Sequence, residues 1–251
     1  MGKVLCFTGR RPKDMGFTEV AVSSAGREYL VNAQNEKSYG PFLDRLSEIV
    51  EIFYKKGYDT FVTGGAQGFD QVAFRAVARV KEKYSDIKNI FYAPFRGQER
   101  QWASFGYFGQ DEYRRLLQQA DEVIYVVDDE LVEYKDIVKA LYARNHAMVD
   151  ISDKCLAMYS DNDWQTHKGG TCECMRYAFS KKVPIVQIEY HTDNDILYLD
   201  KLRSALPQKE NINDNENNRE NNLYYSKDDD NILNNEEEKS EEEPYYFRRW
   251  L

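Results

Sequence analysis

Cysteine, histidine and long apolar runs are all scarce in this chain, and each shortage excludes a class of protein. The four cysteines, at 6, 155, 172 and 174, are too few for a disulfide framework in 251 residues. The three histidines, at 146, 167 and 191, form no Ser-His-Asp arrangement and do not suggest a histidine base. No run approaches about 18 apolar residues, so no membrane span is expected. The N-terminal apolar run, residues 4–7, is too short for a signal peptide, and we expect a cytoplasmic protein.

A surplus of basic residues is also missing. The formal net charge is −9, and most of it lies at the C-terminal end. Residues 207–251 hold 13 acidic and 6 basic side chains, a net of −7, which leaves only −2 for residues 1–206. A protein that binds nucleic acid through its phosphates needs the opposite sign, so nucleic acid is not an expected partner.

The composition of residues 207–251 is that of a tail. Ten asparagines lie between positions 211 and 235, and glutamates fill 236–238 and 241–243. Such a stretch buries too little apolar surface to offset the entropy of ordering it. Residues 244–251 hold four aromatic residues and two arginines, which fits either a docking motif for a protein partner or a tip that folds back on the body. We therefore divide the chain into a domain at 1–190, a terminal helix or linker at 191–206 and an acidic Asn/Glu-rich tail.

Short apolar runs alternate with amphipathic stretches in the body of the chain. The runs predict strands at 4–7, 60–63, 89–93, 122–127, 155–159 and 184–188. Helices are predicted at 38–56, at 133–150 and at 171–181. A further helix is predicted to begin after the glycine turn of the second strand and to run through Val80. This alternation predicts an α/β fold of the Rossmann-like, three-layer kind, with a mostly parallel sheet. Residues 17–37 lack a helical period and fit either an irregular excursion or a small hairpin.

Two glycine turns each follow a predicted strand and open a helix. We call residues 64–68 the first glycine loop and residues 168–171 the second glycine loop. The first glycine loop lacks the G-x-G-x-x-G spacing, and it is not followed by the Gly-Lys-Ser/Thr of a Walker A loop. Because helix N-termini attract anions, we expect the two loops to hold a phosphate or ribose together. The residues assigned to this role are Gly64, Gly65, Ala66, Gly68, Gly169, Gly170 and Thr171. On this view Gly65→Glu abolishes binding and leaves the fold intact.

Charged and aromatic residues near these loops complete the candidate site. Thr8, Gly9 and Arg10 follow the first strand, where Arg10 can bind a phosphate, while Arg11 is expected to be solvated. Asp70 suits either a ribose hydroxyl or the dipole of its own helix. Trp102 suits either a base or the core. These assignments leave the ligand itself unidentified.

The pair Cys172 and Cys174, with His167 nearby, falls short of the four ligands of a structural zinc site. We expect buried or half-buried thiols there, and we expect neither a metal nor a cofactor.

Taken in order, these motifs resemble the YpsA/YspA-like branch of the SLOG superfamily. The resemblance rests on residues 6–12, residues 63–70, Gln101-Trp102, Tyr113, Ala120-Asp121, Arg144-Asn145, residues 148–150, Ser152-Asp153 and residues 169–171. It covers roughly residues 3–190 and implies a Rossmann-like domain that binds a nucleotide or nucleotide-derived molecule, often as a homodimer. Relatives in the superfamily include phosphoribohydrolases, the DprA proteins and sensors of signalling nucleotides.

One motif departs from the phosphoribohydrolase branch of that superfamily, which carries Pro-Gly-Gly-x-Gly-Thr-x-x-Glu and an upstream arginine. Here the glutamate, Glu173, comes one residue early, and Cys174 stands in its place. One residue rotates a side chain on a helix by about 100°. Arg144 fits the family arginine better.

Three functions follow from the sequence. The leading one is a sensor or sequestering protein for a nucleotide-derived molecule, with Arg10 and Arg144 completing the charge of the loops. The second is an N-glycosidic-bond hydrolase in which Glu173 or Asp70 is the carboxylate and Arg144 orients the substrate. The third is an adaptor that recruits a partner through its tail.

Overall fold

The computed structural model describes residues 2–17, 19–24, 26–32 and 36–205. The strands within these residues are β1 (Lys3–Gly9), β2 (Glu19–Ser24), β3 (Arg27–Asn32), β4 (Tyr58–Thr63), β5 (Lys88–Arg96), β6 (Glu122–Glu130), β7 (Lys154–Met158), β8 (Ile185–Asp193) and β9 (Ile196–Ser204). The α-helices are α1 (Glu36–Lys55), α2 (Phe69–Lys83), α3 (Gln110–Gln119), α4 (Tyr134–Asp150) and α5 (Gly170–Ser180). None of the helices in the described ranges is both long and apolar enough to cross a bilayer. The tail predicted at 207–251 lies outside the described residues.

Seven strands form one sheet in the order β6-β5-β4-β1-β7-β8-β9. All neighbouring pairs are parallel except β8 and β9, which run antiparallel. The chain is thus an α/β protein with a mostly parallel, Rossmann-like sheet, as its sequence predicts.

Alternate residues of β1 contribute to two separate cores. Leu5 and Phe7 pack with buried residues of α1 and α2, whereas Cys6 packs with buried residues of α4 and α5. Successive side chains of a strand point to opposite faces, so helices cover both faces of the sheet. This arrangement gives three layers. It also explains why the strands are apolar along their length rather than alternating.

The six predicted strands all form, but the segment at 191–206 was assigned wrongly. It is neither a helix nor a linker, because most of it is strand β9, paired with β8. Asn194 and Asp195 join the two strands with φ angles of 50° and 57°. Two central residues with positive φ are typical of a tight hairpin turn, for which Asn and Asp are favoured. The Asn-Asp pair was therefore a signal for this hairpin that the sequence-based prediction overlooked.

The hairpin alternative for residues 17–37 is confirmed by β2 and β3. Within the described part of the chain these strands pair only with each other, in antiparallel register from Glu19–Asn32 to Ser24–Arg27. The base of the hairpin is anchored by Phe17, whose ring centroid lies 4.8 Å from that of Tyr39 on α1. The hairpin is thus an insertion between β1 and α1 rather than part of the main sheet.

All four cysteines are free and buried, which confirms the expectation of buried thiols. Cys6 and Cys155 lie opposite each other on the neighbouring strands β1 and β7. Burial raises the pKa of the Cys172 thiol. A raised pKa keeps the thiol protonated and unreactive at neutral pH.

Candidate functional site

A crevice is expected where the order of the strands reverses. From the central strand β1 the chain builds outward through β4, β5 and β6, and then returns to add β7 and β8 on the other side. In open parallel sheets, ligands bind at the carboxyl ends of the strands that flank such a reversal. Residues 10–11 leave that edge after β1, the first glycine loop leaves it after β4, and residues 159–169 leave it after β7. Both glycine loops therefore lie at the edge where a ligand is expected.

The first glycine loop is packed against protein atoms. A β-carbon on Gly64 would overlap Nη1 of Arg144, and one on Gly65 would overlap the ring of Phe91. Gly65 also has a φ of +65°, a backbone angle that residues other than glycine rarely adopt. Gly65 is therefore required by the fold itself, whereas the overlap at Gly64 is with the end of a flexible side chain. The expectation that Gly65→Glu leaves the fold intact is therefore wrong.

A buried cluster of charges lies beside the first glycine loop. Oδ2 of Asp70 accepts hydrogen bonds from Nη1 of Arg144 and from the amide of Ala66, both at 3.3 Å. Asp70 is 6% exposed and Arg144 is 5% exposed. Burial raises the pKa of Asp70, although Arg144 and Arg11 oppose the shift. Burial also lowers the pKa of Arg11 to about 10, with Asp70 raising it and Arg144 lowering it further. Two guanidinium groups thus surround the carboxylate of Asp70, and the carboxylate of Asp14 acts on Arg11 as a second acid.

Several buried polar atoms around the same loop lack hydrogen-bond partners within the described ranges. They are Oγ1 of Thr63, Oε1 of Gln71 and Nε of Arg144. The amide of Gln71 does donate, at 3.2 Å, to the carbonyl oxygen of Gly65. Buried polar atoms are nearly always paired in proteins, because leaving one unpaired costs roughly 1–3 kcal/mol. Their grouping marks this position as one that can accept further hydrogen bonds.

The second glycine loop is open. Apart from its immediate chain neighbours, no heavy atom of the described residues lies within 4 Å of where a β-carbon would stand on Gly169 or Gly170, and both residues are exposed. Helix α5 begins at Gly170, and no side chain caps its N-terminus in the described chain. The first amides of a helix have no partner within it and attract anions. This loop therefore offers the accessible backbone donors that the sequence predicts for both loops.

The end of β1 and the turn that follows it, residues 9–11, connect the two glycine loops. We call these residues the β1 turn. The carbonyl oxygen of Gly9 accepts a hydrogen bond from Oγ1 of Thr171 at 2.8 Å. The next carbonyl, that of Arg10, accepts one from the amide of Phe69 at 3.1 Å. A β-carbon on Gly68 would lie 2.5 Å from that same oxygen. Consecutive carbonyls of this turn thus hold the N-terminal turns of α5 and α2, which places the loops on either side of it.

The two arginines of this turn are placed differently from the expectation. The guanidinium of Arg10 lies 4.1 Å from the ring centroid of Tyr159, and its Nη2 is 3.6 Å from Oδ2 of Asp161. Arg11 is half-buried and interacts with the Asp70 cluster rather than being solvated. Thr8 is buried within β1. Arg11, and not Arg10, is therefore the arginine of this turn that joins Asp70 and Arg144.

Comparison with known proteins gives the family. The YspA SLOG family profile matches residues 30–193, well over half of the chain. The chain belongs to this SLOG family. It is 36% identical over 144 residues to the uncharacterized SPbeta prophage-derived protein YoqJ of Bacillus subtilis (strain 168), covering 53% of this chain and 77% of YoqJ. It is 22% identical over 160 residues to a UPF0398 protein of Bacillus cereus (strain G9842), covering 63% of this chain and 75% of that protein.

The SLOG match includes both glycine loops but begins inside β3. The β1 turn and most of the inserted hairpin therefore precede it. In this SLOG protein the inserted hairpin separates the β1 turn from the matched region.

Glu173 faces helix α4 in this SLOG fold. Its Oε2 accepts a hydrogen bond from Nδ2 of Asn145 at 3.2 Å, and its Oε1 contacts Nε2 of His146. The ring of His146 in turn stacks on that of Tyr177, with centroids 3.6 Å apart. Both carboxylate oxygens are thus engaged in joining α4 to α5. This orientation agrees with the one-residue displacement of Glu173 from the phosphoribohydrolase motif.

Trp102 packs in the core, the second of the two alternatives that the sequence left open for it. It is 4% exposed, and its ring meets that of Tyr113 edge to face, with centroids 5.1 Å apart. Phe74, Phe91 and Leu116 belong to the same cluster. A ring enclosed in this way has no free face for a base. We therefore leave Trp102 out of the ligand contacts proposed below.

Arg11 and Asn145 are the site residues that sequence reasoning missed. Arg144 reaches the first glycine loop, while Nδ2 of its neighbour Asn145 donates to the carbonyl oxygen of Gly170 in the second loop at 3.2 Å. Neighbours on a helix point about 100° apart, so one dipeptide can serve two loops. The Arg-Asn pair was visible in the sequence as part of the SLOG resemblance. The sequence did not show that each of the two residues contacts a different glycine loop.

Proposed function

We propose that this SLOG protein binds a nucleotide or nucleotide-derived small molecule at the carboxyl edge of its sheet, as a sensor or sequestering protein. The observation that carries the proposal is the open second glycine loop at the N-terminus of α5, where Gly169 and Gly170 are exposed and no described side chain caps the helix. Across the β1 turn, Nε of Arg144 is buried without a hydrogen-bond partner among the described residues, so this side of the site can still donate to an anion. The uncapped N-terminus of α5 provides the matching backbone donors.

In the proposed complex the phosphate binds the open second glycine loop, at Gly169, Gly170 and Thr171. Arg144 lies on the other side of the β1 turn, and its unpartnered Nε can donate to the same anion. The first glycine loop contributes through the side chains packed on it, because its own glycines are covered. Arg10 lines the β7 side of the crevice, where it stacks on Tyr159.

The proposal predicts that Gly170→Glu abolishes nucleotide binding without destabilising the protein. The new carboxylate would lie at the anion position, and its β-carbon would meet no other described residue within 4 Å. Acidic residues are favourable in the first turn of a helix, so the free energy of unfolding should change by less than about 1 kcal/mol. Calorimetric titration with AMP, GMP, CMP and UMP measures the loss.

Gly40→Glu is the matched control for that substitution. Gly40 lies in α1, also with nothing within 4 Å of its β-carbon position, so the variant adds the same charge away from the site. We expect it to bind as the wild type does. Equal affinity of the wild type and Gly170→Glu would place the phosphate elsewhere. Absence of any nucleotide bound to the wild type, both in titration and in native mass spectrometry of the purified protein, would contradict the binding function.

The raised pKa of Asp70 supports a second candidate function, hydrolysis of an N-glycosidic bond. A buried carboxyl with a raised pKa can donate a proton. The oxygen of a water molecule would bond to C1′ of the ribose while the C1′–N bond breaks. The electron pair of the broken C1′–N bond would leave with the base, and the base would take the proton from Asp70. A proton of the attacking water would pass to solvent. Arg144 would hold Asp70 in place.

This second function predicts release of free base from a nucleoside monophosphate, measured by chromatography. Asp70→Asn should abolish the release, because an amide has no proton to give as an acid. Glu173→Ala should retain most of it, because both oxygens of Glu173 are engaged with α4. Release that persists in Asp70→Asn would overturn the assignment, and absence of release from all four monophosphates would leave binding alone.

The proposed partners are a second copy of the chain and a protein bound by residues 244–251. Homodimerisation follows from the SLOG resemblance, and the tail lies outside the described residues. Native mass spectrometry measures the dimer together with any copurified ligand. Deleting residues 244–251 and repeating a pull-down tests the adaptor role, which fails if no partner is lost.

A further inference from the structure

We propose that the phosphate of the bound nucleotide displaces the carboxylate of Asp161 from the guanidinium of Arg10. This inference rests on the proposed function and adds to it a pair of residues that sets the affinity for the phosphate. Arg10 belongs to the β1 turn, and Asp161 belongs to the segment that leaves the carboxyl edge of the sheet after β7. Both residues therefore lie at the edge where the ligand is expected.

The positive charge of Arg10 reaches the start of α5. Oγ1 of Thr171, in the second glycine loop, donates at 2.8 Å to the carbonyl oxygen of Gly9, the residue before Arg10. Cys172 follows in the first turn of α5. Burial raises the pKa of the Cys172 thiol, while Tyr159 and the charge of Arg10 oppose the shift. The guanidinium thus acts on the helix N-terminus at which the phosphate is proposed to bind.

The guanidinium of Arg10 keeps donor capacity that the described residues do not use. It stacks on Tyr159, with 4.1 Å between its central carbon and the ring centroid, and the side chain also interacts with Tyr190. Its Nε is buried and has no hydrogen-bond partner among the described residues. Its Nη2 lies 3.6 Å from Oδ2 of Asp161, which is longer than a hydrogen bond. An arginine held in this way can still bind a phosphate, with which it forms strong, often bidentate hydrogen bonds.

The carboxylate of Asp161 can leave Arg10 while the backbone of Asp161 stays in place. The carbonyl oxygen of Asp161 accepts hydrogen bonds from Nε2 of Gln187 at 3.1 Å and from Nη2 of Arg203 at 3.0 Å. The side chain of Asp161 is 65% exposed, whereas that of Arg10 is 20% exposed. Ion pairs with one such exposed partner are weak, because water competes for the carboxylate. A phosphate that also binds the amides of α5 can therefore replace it.

The test removes the charge of Asp161 and keeps its size. Calorimetry would measure the affinity of wild type and Asp161→Asn for the tightest binder among AMP, GMP, CMP and UMP. We expect Asp161→Asn to bind that nucleotide about 2- to 5-fold more tightly, which is the strength of an exposed ion pair expressed as a ratio of affinities. Because misfolding lowers affinity, it cannot produce this gain.

Arg10→Gln shows whether the gain depends on Arg10. This variant should bind the nucleotide at least about 10-fold more weakly than wild type, since it loses a charged donor to the phosphate. In the Arg10→Gln background, Asp161→Asn should no longer raise the affinity, because residues in contact do not act additively. Thermal unfolding should show both variants to be folded. An equal gain with and without Arg10, or wild-type binding by Arg10→Gln, would refute the inference.

Asp193→Asn is the matched control. Asp193 is an exposed aspartate at the end of β8, the strand next to β7, so its replacement removes the same charge from the same edge of the sheet. It should bind the nucleotide as the wild type does, and an equal gain there would make net charge the cause. If wild type binds the nucleotide and Asp161→Asn binds it no more tightly, the displacement is refuted while the proposed function stands. If wild type binds none of the four nucleotides, the proposed function fails and the displacement fails with it.

Discussion

Replacing Gly65 with alanine should lower the free energy of unfolding by roughly 2–5 kcal/mol, the sum of about 1–2 for a left-handed residue and 1–3 for overpacking. Gly65 has a φ of +65°, and its β-carbon would overlap the ring of Phe91. That ring cannot easily move, because it meets Phe74 and Tyr113 edge to face, with centroids 5.7 and 5.3 Å away. Urea unfolding followed by circular dichroism measures the effect.

Gly170→Ala is the control for that result. It makes the same chemical change in the second glycine loop, where nothing lies within 4 Å and φ is not positive. We expect a change of less than about 1 kcal/mol, since glycine to alanine is neutral or slightly stabilising at such sites. If Gly65→Ala were as stable as Gly170→Ala, the first glycine loop would not be packed as described, and its glycines would be available to a ligand.

Replacing Arg144 with alanine should cost about 3–5 kcal/mol, the usual effect of removing one partner of a buried ion pair. The carboxylate of Asp70 would keep its burial and lose its direct partner. The space against Gly64 would also be left empty. Nucleotide binding should fall in the same variant, because the positive charge of the cluster is reduced. Urea unfolding at pH 8 measures the stability.

The cost of Arg144→Ala should be smaller at pH 5.5 than at pH 8. Burial already raises the pKa of Asp70 above its ordinary value of 3.8, and loss of Arg144 removes a group that opposes the shift. Between the unfolded and the folded pKa the folded state binds more protons, so stability rises as the pH falls through the folded pKa. A loss that is the same at both pH values would contradict the burial of an unpaired carboxylate.

Arg79→Ala is the control for Arg144→Ala. Arg79 pairs with Asp44 at 2.6 Å, but both side chains are largely exposed. Such pairs contribute about 0–1 kcal/mol, so the stability should change little at either pH. A loss for Arg79→Ala as large as that for Arg144→Ala would mean that burial is not the cause.

Much of the fold could be predicted because apolar runs and glycine turns are local signals. The apolar runs 60–63 and 122–127 lie within strands β4 and β6, and residues 133–150 contain all of α4. The seventh strand of the sheet, β9, was missed although it begins with an apolar run at 196–199, because its second half is polar and charged and the strand is held by pairing with β8. Its turn, Asn194-Asp195, was nevertheless present in the sequence.

The candidate site was predicted as a set of residues rather than as an arrangement. Both glycine loops do lie beside the β1 turn, as the strand-to-helix placement implied. Whether a glycine is there for a ligand or for the packing of a neighbour depends on distant residues, such as Arg144 against Gly64. The same holds for Arg10 and Arg11, since their neighbours Tyr159 and Asp70 come from other strands and helices.

The sequence by itself determined the alternation of strands and helices, the two glycine turns and the membership of the SLOG family. Periodicity, turn chemistry and motif order are written in neighbouring residues, so they can be recognised before the chain is folded. Only the tertiary structure decided that the first glycine loop is closed, that the second is open, and that Trp102 packs in the core. Those outcomes depend on which side chains from distant segments occupy the same space, and packing alone settles that competition.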